Sequence, residues 1–281
     1  MENVEIINVL TSIDLSTYPY NEVKELISQF HPKILRVTIG PGQIIERMRP
    51  DIGVFERKDV SYKPAEQNVK PQRATLPGRT AFYGSLCHEE ESLINMRYIA
   101  LLESSKLYRQ GVTANGTEDY TLSRWVTNRP LRLAVFVHES VYDGVRDNKL
   151  LEMSRHEWQK GKTFLDNPLQ FDEYSRYVTQ QFAKLVENDY EYIISATIVE
   201  MLMYASRVDG VMYPPVQAAG EHGMNVAIRP EVADEKLVLT DVREMKYVQE
   251  AGKGNLRFTR IGKAVEMDVH GMRRWEYIEK S

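Results

Sequence analysis

Apolar residues near the start of the chain recur with the spacing of one helix face. Asn21 is a candidate N-cap, and the pair His31-Pro32 is a stop signal, because proline disfavours helix in the residue before it. The apolar positions follow the i, i+3, i+4, i+7 rule and are Val23, Leu26, Ile27 and Phe30. The pattern predicts helical structure from residue 1 to about residue 32.

Later segments alternate between helical and extended patterns. Helices are predicted over 88–108, 172–187 and 191–207, and the last is apolar over so wide an arc that we expect it to be buried. The turn Asn128-Arg-Pro130 lies between two strands that we expect to pair as a hairpin. The predicted strands are 44–49, 80–87, 120–126, 131–137, 211–213, 224–229, 236–248 and 255–268.

The irregular order of helices and strands favours an α+β fold over a doubly wound parallel sheet. No G-x-G-x-x-G follows a predicted strand, and no G-x-x-x-x-G-K-[ST] occurs, which disfavours a Rossmann dinucleotide fold and a P-loop. We see no linker within the chain. The prediction is an N-terminal helical extension over 1–40, followed by one domain over 41–281.

Composition excludes some classes of protein. The chain has 281 residues, 42% of them hydrophobic and 27% charged, with a formal charge of −4, so a nucleic-acid partner is not expected. Its single cysteine, Cys87, excludes an intramolecular disulfide. Neither a signal peptide nor an apolar run of about 20 residues is seen, which leads us to expect a cytoplasmic protein without a membrane partner. The histidines show no metal-ligand spacing such as H-E-x-x-H, and we expect no metal.

Five short stretches occur in a characteristic order. They are Ile44-Ile-Glu-Arg-Met-Arg-Pro50, Tyr62-Lys-Pro64, Arg73-Ala-Thr-Leu-Pro-Gly-Arg-Thr-Ala-Phe-Tyr-Gly-Ser85, Asp209-Gly-Val-Met-Tyr-Pro-Pro-Val216 and Asn225-Val-Ala227. In this order and spacing they resemble the RES-domain family, which is named for an arginine, a glutamate and a serine. The resemblance covers roughly residues 40 to 250.

The resemblance implies a fold and a reaction that composition does not. The fold would be that of the ADP-ribosyltransferase toxins, with a mixed, split β-sheet and flanking helices. The substrate would be NAD⁺ or a related dinucleotide, and the nicotinamide–ribose bond would be cleaved by water, phosphate or an acceptor group. Many members are toxins of toxin–antitoxin pairs, so the resemblance also implies an antitoxin-like protein partner.

Site residues follow from the same resemblance. Arg47 takes the position of the family's first arginine, and an arginine fork suits a pyrophosphate. Arg49 has the same strand parity as Arg47, so both can face one side. Tyr83 matches the family tyrosine, whose ring can stack on the cationic nicotinamide. We also assign Arg73, Tyr213, Pro215 and Asn225 to the dinucleotide-binding set.

Two positions depart from the family pattern. The spacing from Tyr83 to the family glutamate leads to Ile94 or Asn95, so Glu103 is preferred and Glu91 remains an alternative. A carboxylate there would stabilise the oxocarbenium-like state of bond cleavage. Pro215 stands where the family has its serine, and proline offers no hydroxyl. The alternatives are therefore a binding protein on the same fold that has lost catalysis, or a protein-interaction module.

Overall fold

A computed structural model of the chain describes residues 2–30, 34–88, 93–205, 208–252, 257–268 and 270–277. The N-terminal segment forms two helices, α1 (Asn3–Ser12) and α2 (Tyr20–Ser28). The N-cap of α2 is Pro19, so the prediction that Asn21 caps it is wrong: the fixed φ of proline favours a helix start there, and α2 begins two residues earlier than predicted. The predicted stop at His31-Pro32 lies outside the described residues.

Strands make up the centre of the described chain. The first, β1, falls within the segment predicted as a helical extension and was not foreseen. In chain order the strands are β1 (Leu35–Ile39), β2 (Ile44–Arg49), β3 (Phe82–Leu86), β4 (Gly116–Thr127), β5 (Leu131–Val135), β6 (Gly210–Tyr213), β7 (Met224–Ile228), β8 (Leu237–Gln249), β9 (Arg257–Met267) and β10 (Met272–Tyr277).

The remaining helices connect these strands. The longest, α7, starts with Pro168 in its first turn, where a missing N–H costs nothing. They are α3 (Arg57–Val60), α4 (Leu93–Ser104), α5 (Lys106–Arg109), α6 (Lys149–Lys162), α7 (Pro168–Ala183), α8 (Ile193–Ala205) and α9 (Pro230–Lys236).

The strands form one mixed sheet in the order β1-β5-β6-β7-β3-β2-β4-β8-β9-β10. Neighbours are antiparallel except for β5 and β6, which are parallel. The predicted hairpin of β4 and β5 is wrong, because β4 lies between β2 and β8 while β5 lies between β1 and β6. The physical reason is burial: Leu133 and Ala134 point to opposite faces of β5 and are both fully buried, which needs a central strand with a packed core on each face. The fold is thus α+β, as predicted.

Helices cover the sheet, and the described residues form two large apolar cores besides two smaller clusters around α4. One core includes Phe82, Trp125 and Val226, and the other packs α2, α7 and α8 against Val211. Strand parity separates Phe82, which is fully buried in the first core, from Tyr83, which packs at the edge of the second. The second face also carries most of the site, while Arg47, which shares the strand parity of Ile45 in the first core, reaches the site from the other face.

Candidate functional site

Strands β2 and β3 share fewer registered backbone pairs than any other two neighbouring strands of the sheet. Only two registered pairs join these strands, Ile45 with Leu86 and Glu46 with Ser85, whereas β2 is paired with β4 along all six of its residues. A Cβ at Gly84 would lie 2.5 Å from Cγ2 of Ile45, so this approach needs a glycine. Beyond the last pair, Arg47 Nη1 donates a hydrogen bond of 2.8 Å to the Tyr83 carbonyl. A side chain thus replaces the backbone ladder at this point.

A row of polar side chains crosses the sheet beside this point. We call it the polar row, and its members are register partners on consecutive strands: Tyr213, Asn225, Ser85, Glu46 and Arg124. Register partners project from the same face of a sheet, so the row forms one surface. Within it, Ser85 Oγ donates to Asn225 Oδ1 at 3.2 Å.

A cleft of about 210 Å³ lies over the polar row. The end of α4 lines it with Ala100, Glu103 and Ser104, and Arg73 and Tyr192 line it from other segments of the chain. Three tyrosines line it, at positions 83, 192 and 213. Aromatic faces next to arginines and a carboxylate make this cleft suited to a ligand with both a ring and charged groups.

Most of the site residues predicted from the sequence converge here. The cleft is lined by Arg47, Arg73, Tyr83, Glu103, Tyr213 and Asn225, which come from β2, the loop before β3, β3, α4, β6 and β7. Arg49 lines the adjoining cavity instead. Pro215 is buried in the turn after β6 and is not among the lining residues of either cavity. Glu91, the alternative to Glu103, lies outside the described residues.

Arg47 is the cation at the point where the backbone pairing of β2 and β3 ends. Its Nε is buried without a hydrogen-bond partner among the described residues, although Nη1 is bonded to Tyr83. Burial lowers the pKa of Arg47 to about 10, with a further contribution from the neighbouring Arg49 cation. It therefore remains positively charged at neutral pH and retains donor capacity for an anion.

Tyr83 and Arg73 line the cleft, and hydrogen bonds to backbone groups fix each of them in place. The Tyr83 hydroxyl accepts the Ala74 N–H at 3.2 Å and lies 3.1 Å from Thr75 Oγ1, and burial raises its pKa to about 12. Arg73 donates to the carbonyls of Phe182 at 2.6 Å and Lys184 at 2.9 Å, at the end of α7. Its guanidinium therefore caps a helix as well as facing the cleft.

Glu103 joins two walls of the cleft. It is the penultimate residue of α4, and its Oε1 accepts the backbone N–H of Gln217 at 3.0 Å. Gln217 belongs to the loop that follows β6, so this bond ties the helix to that loop. The carboxylate is in this way oriented toward the cleft by a fixed backbone donor.

Sequence reasoning missed Glu46, the most buried acidic residue of the cleft. It is 1% exposed, and Arg124 donates to its Oε1 through Nε at 3.0 Å and Nη2 at 2.8 Å. Arg97 Nε donates to the same Oε1 at 3.4 Å and lies 3.3 Å from Oε2, which accepts no hydrogen bond among the described residues. A signal was available, because a glutamate at a buried position of a central strand must have a cationic partner.

Metal-ligand clusters and membrane-spanning helices are both absent from the described ranges. There, no group of three or more histidine, cysteine, aspartate or glutamate side chains is placed to hold a metal ion. No helix in the same ranges has the length and apolarity to cross a membrane.

Comparison with known proteins adds little to this geometry. No family model matches the chain, and no curated protein matches it at a significant level. Among solved structures, it is similar to a chain of the M. tuberculosis MbcT–MbcA toxin–antitoxin complex. The identity is 11%, the TM-score is 0.32, and the match covers 74% of this chain and 86% of that chain. A TM-score this low carries no argument about fold or function.

Proposed function

We propose that the protein is an NAD⁺-consuming enzyme of RES type that cleaves the nicotinamide–ribose bond, on an ADP-ribosyltransferase-like fold. The observation that carries the proposal is the convergence of Arg47, Tyr83, Glu103, Tyr213 and Asn225 on one cleft. Arg47, Tyr83, Tyr213 and Asn225 come from separate motifs of the sequence, and Glu103 is the preferred acid on the helix where the family glutamate is expected. Their meeting beside a break in the sheet is unexpected for motifs that match by chance.

Each side chain has a role that its chemistry supports. Arg47 would hold a phosphate oxygen through its unpartnered Nε, in charge-assisted geometry. Tyr83 and Tyr213 would present ring faces to the cationic nicotinamide. Glu103 would hold the ribose hydroxyls and stabilise the positive charge that develops at the ribose as the bond breaks.

The size of the cleft bears on how the substrate would lie. About 210 Å³ is less than the roughly 300–1,000 Å³ of sites that enclose a whole drug-sized ligand. The cleft would therefore enclose only the reacting part of a dinucleotide, the nicotinamide and its ribose. The departing nicotinamide would take the bond electrons, and water, phosphate or an acceptor group would attack the ribose carbon.

Nicotinamide release tests the proposal directly. Purified protein is incubated with NAD⁺, with and without phosphate, and free nicotinamide is followed by chromatography. Release above buffer that is lost in Glu103→Gln, but kept in Glu152→Gln on the exposed face of α6, is the expected result. No release under either condition would exclude both hydrolysis and phosphorolysis.

The second candidate is a protein on the same fold that binds NAD⁺ or ADP-ribose without turnover. Two observations favour it: Pro215 replaces the family serine, and the Glu103 carboxylate already accepts the Gln217 N–H. Calorimetry with ADP-ribose, combined with the nicotinamide-release assay on NAD⁺, separates the candidates. A protein that binds ADP-ribose but releases no nicotinamide from NAD⁺ fits only the second.

A toxin role with an antitoxin-like partner belongs to the first candidate and is supported by the sequence resemblance alone. Its test is growth. Expression of the wild-type chain in bacteria should arrest growth, and expression of the Arg47→Ala variant at the same level should not. Equal growth of the two cultures at equal protein levels would contradict a toxin role.

A further inference from the structure

A second cavity, of about 580 Å³, adjoins the cleft and shares Arg47 and Met48 with it. The segment from Pro50 to Gln67 forms most of its wall. Its volume falls within the range of sites that enclose a small molecule. We call it the basic cavity because of the side chains that line it: Arg47, Arg49, Arg57, Lys58 and Lys63.

The acids of the basic cavity are already engaged. Asp234 accepts from the Tyr62 hydroxyl at 2.6 Å and pairs with Arg57 at 3.3 Å. Asp59 accepts the Glu56 N–H at 3.0 Å at the start of α3.

Three of the five cations are also paired: Arg57 with Asp234, Lys58 with Glu56 at 2.6 Å and Arg49 with Asp51 at 3.8 Å. Arg47 and Lys63 have no ion pair among the described residues, so the positive charge open to a ligand lies on these two. Such a surface attracts anions.

Two groups in the cavity are available for a ligand. Ser61 is 4% exposed, and its Oγ is buried without a hydrogen-bond partner among the described residues. A buried hydroxyl of this kind is costly unless something binds it. Lys63 is exposed at the rim, and its ammonium group makes no ion pair within the described part of the chain.

We propose that the basic cavity binds a nucleoside diphosphate group, which is the half of a dinucleotide that does not react. The assignment rests on the proposed function, because Arg47 lies in the wall between the cleft and the basic cavity. The diphosphate would lie between Arg47, Ser61 and Lys63, with the nucleoside against Tyr62 and the prolines of the loop. The volume is too large for a lone phosphate ion and favours a nucleotide.

The test is binding of ADP to the full chain by calorimetry. The double variant Ser61→Ala with Lys63→Ala should weaken ADP binding at least tenfold without lowering Tm, because neither side chain has a bonding partner to lose. The control is Lys160→Ala, an exposed lysine on α6, which should bind ADP like the wild type. Equal ADP affinity in the double variant and the wild type would overturn the assignment.

Two other outcomes are informative. Inorganic phosphate that binds as tightly as ADP would overturn the nucleotide assignment, since the cavity would then serve a free anion. ADP binding that depends on Ser61 and Lys63, in a protein that releases no nicotinamide, would leave this assignment standing while the proposed reaction fails. With NAD⁺ as substrate, the double variant should raise KM and leave kcat unchanged, whereas a cleft variant should lower kcat.

Discussion

Arg47 Nη1 donates to the Tyr83 carbonyl at 2.8 Å, where the ladder between β2 and β3 stops. The guanidinium does two things here: it satisfies a strand carbonyl that has lost its backbone partner, and it places positive charge between two cavities. Structure and ligand binding therefore depend on one side chain.

Arg47→Ala should reduce both stability and ligand affinity. Loss of the bond leaves the Tyr83 carbonyl unpaired, at a cost of about 1–3 kcal/mol. Loss of the charge should weaken ADP-ribose binding at least tenfold, because a phosphate-bearing ligand loses a charge-assisted bond. Denaturant unfolding and calorimetry measure the two effects. Arg36→Ala, an exposed arginine of β1, is the control, and equal ADP-ribose affinity in the two variants would contradict the role of Arg47.

Glu103→Gln should separate catalysis from folding. The amide oxygen of glutamine can still accept the Gln217 N–H, so Tm should change little. The negative charge is lost, and kcat for nicotinamide release should fall by roughly 10²–10³-fold, as when one stabilising group is removed from a transition state. Nicotinamide release at the wild-type rate in a folded Glu103→Gln variant would show that Glu103 does not stabilise the charge that develops at the ribose.

Ser85 and Pro215 give a paired prediction about the hydroxyl that the family serine would supply. Ser85 lies in the polar row and lines the cleft, whereas Pro215 lines neither cavity. The sequence predicts that Pro215→Ser raises NAD⁺ cleavage by restoring the hydroxyl. The structure leads us to expect instead a change of less than about twofold for Pro215→Ser, and a loss of about tenfold for Ser85→Ala.

Nicotinamide release by the two variants decides between these expectations. The control is Ser28→Ala, at an exposed position in the last turn of α2. A rise of tenfold or more in Pro215→Ser would show that the sequence-based expectation was right and that the turn after β6 reaches the substrate.

Replacing Glu46 should lower the free energy of unfolding more than replacing an exposed glutamate does. Glu46→Ala removes the carboxylate shared by Arg124 and Arg97, which are 18% and 22% exposed, and the expected loss is about 1.5–3 kcal/mol of the free energy of unfolding. The matched control is Glu235→Ala, which breaks an exposed pair with Arg129 and should cost less than about 1 kcal/mol. Denaturant unfolding measures both, and similar losses would contradict the buried pairing of Glu46.

Stability should fall on acidification because of His138. Its ring is 4% exposed and lies against Trp158, and burial lowers its pKa from 6.5, with Asp172 acting in the opposite direction. Below pH 6.5 the unfolded chain binds a proton that the folded chain resists, so the free energy of unfolding decreases as the pH falls. The slope contributed by one group is at most about 1.4 kcal/mol per pH unit.

Thermal melts from pH 7.5 down to pH 5 check this prediction. His138→Gln should flatten the decline, whereas His156→Gln, at an exposed position on α6, should follow the wild-type profile. A His138→Gln profile with the wild-type slope would show that other groups control the acid sensitivity.

Several elements could be predicted from the sequence because their signals are local. β2, β3, β6 and β7 lie within a few residues of the predicted spans, since apolar runs and turn residues mark their ends. β10 was missed because Met272–Tyr277 is an edge strand with mostly exposed, charged side chains and no clear period. β1 was missed because its strand character depends on pairing with β5, about 95 residues away along the chain.

The sequence by itself determined which side chains are available and on which strand face they stand, because parity in an extended strand is a local property. Glu46 and Arg47, or Phe82 and Tyr83, must point to opposite faces wherever their strands lie. Only the tertiary structure decided which of these groups meet. The hydrogen bonds that assemble the cleft join residues far apart in sequence, as Glu103 with Gln217 and Arg73 with Phe182 show. Strand order depends on burying both faces of the central strands at once, and no local pattern specifies that.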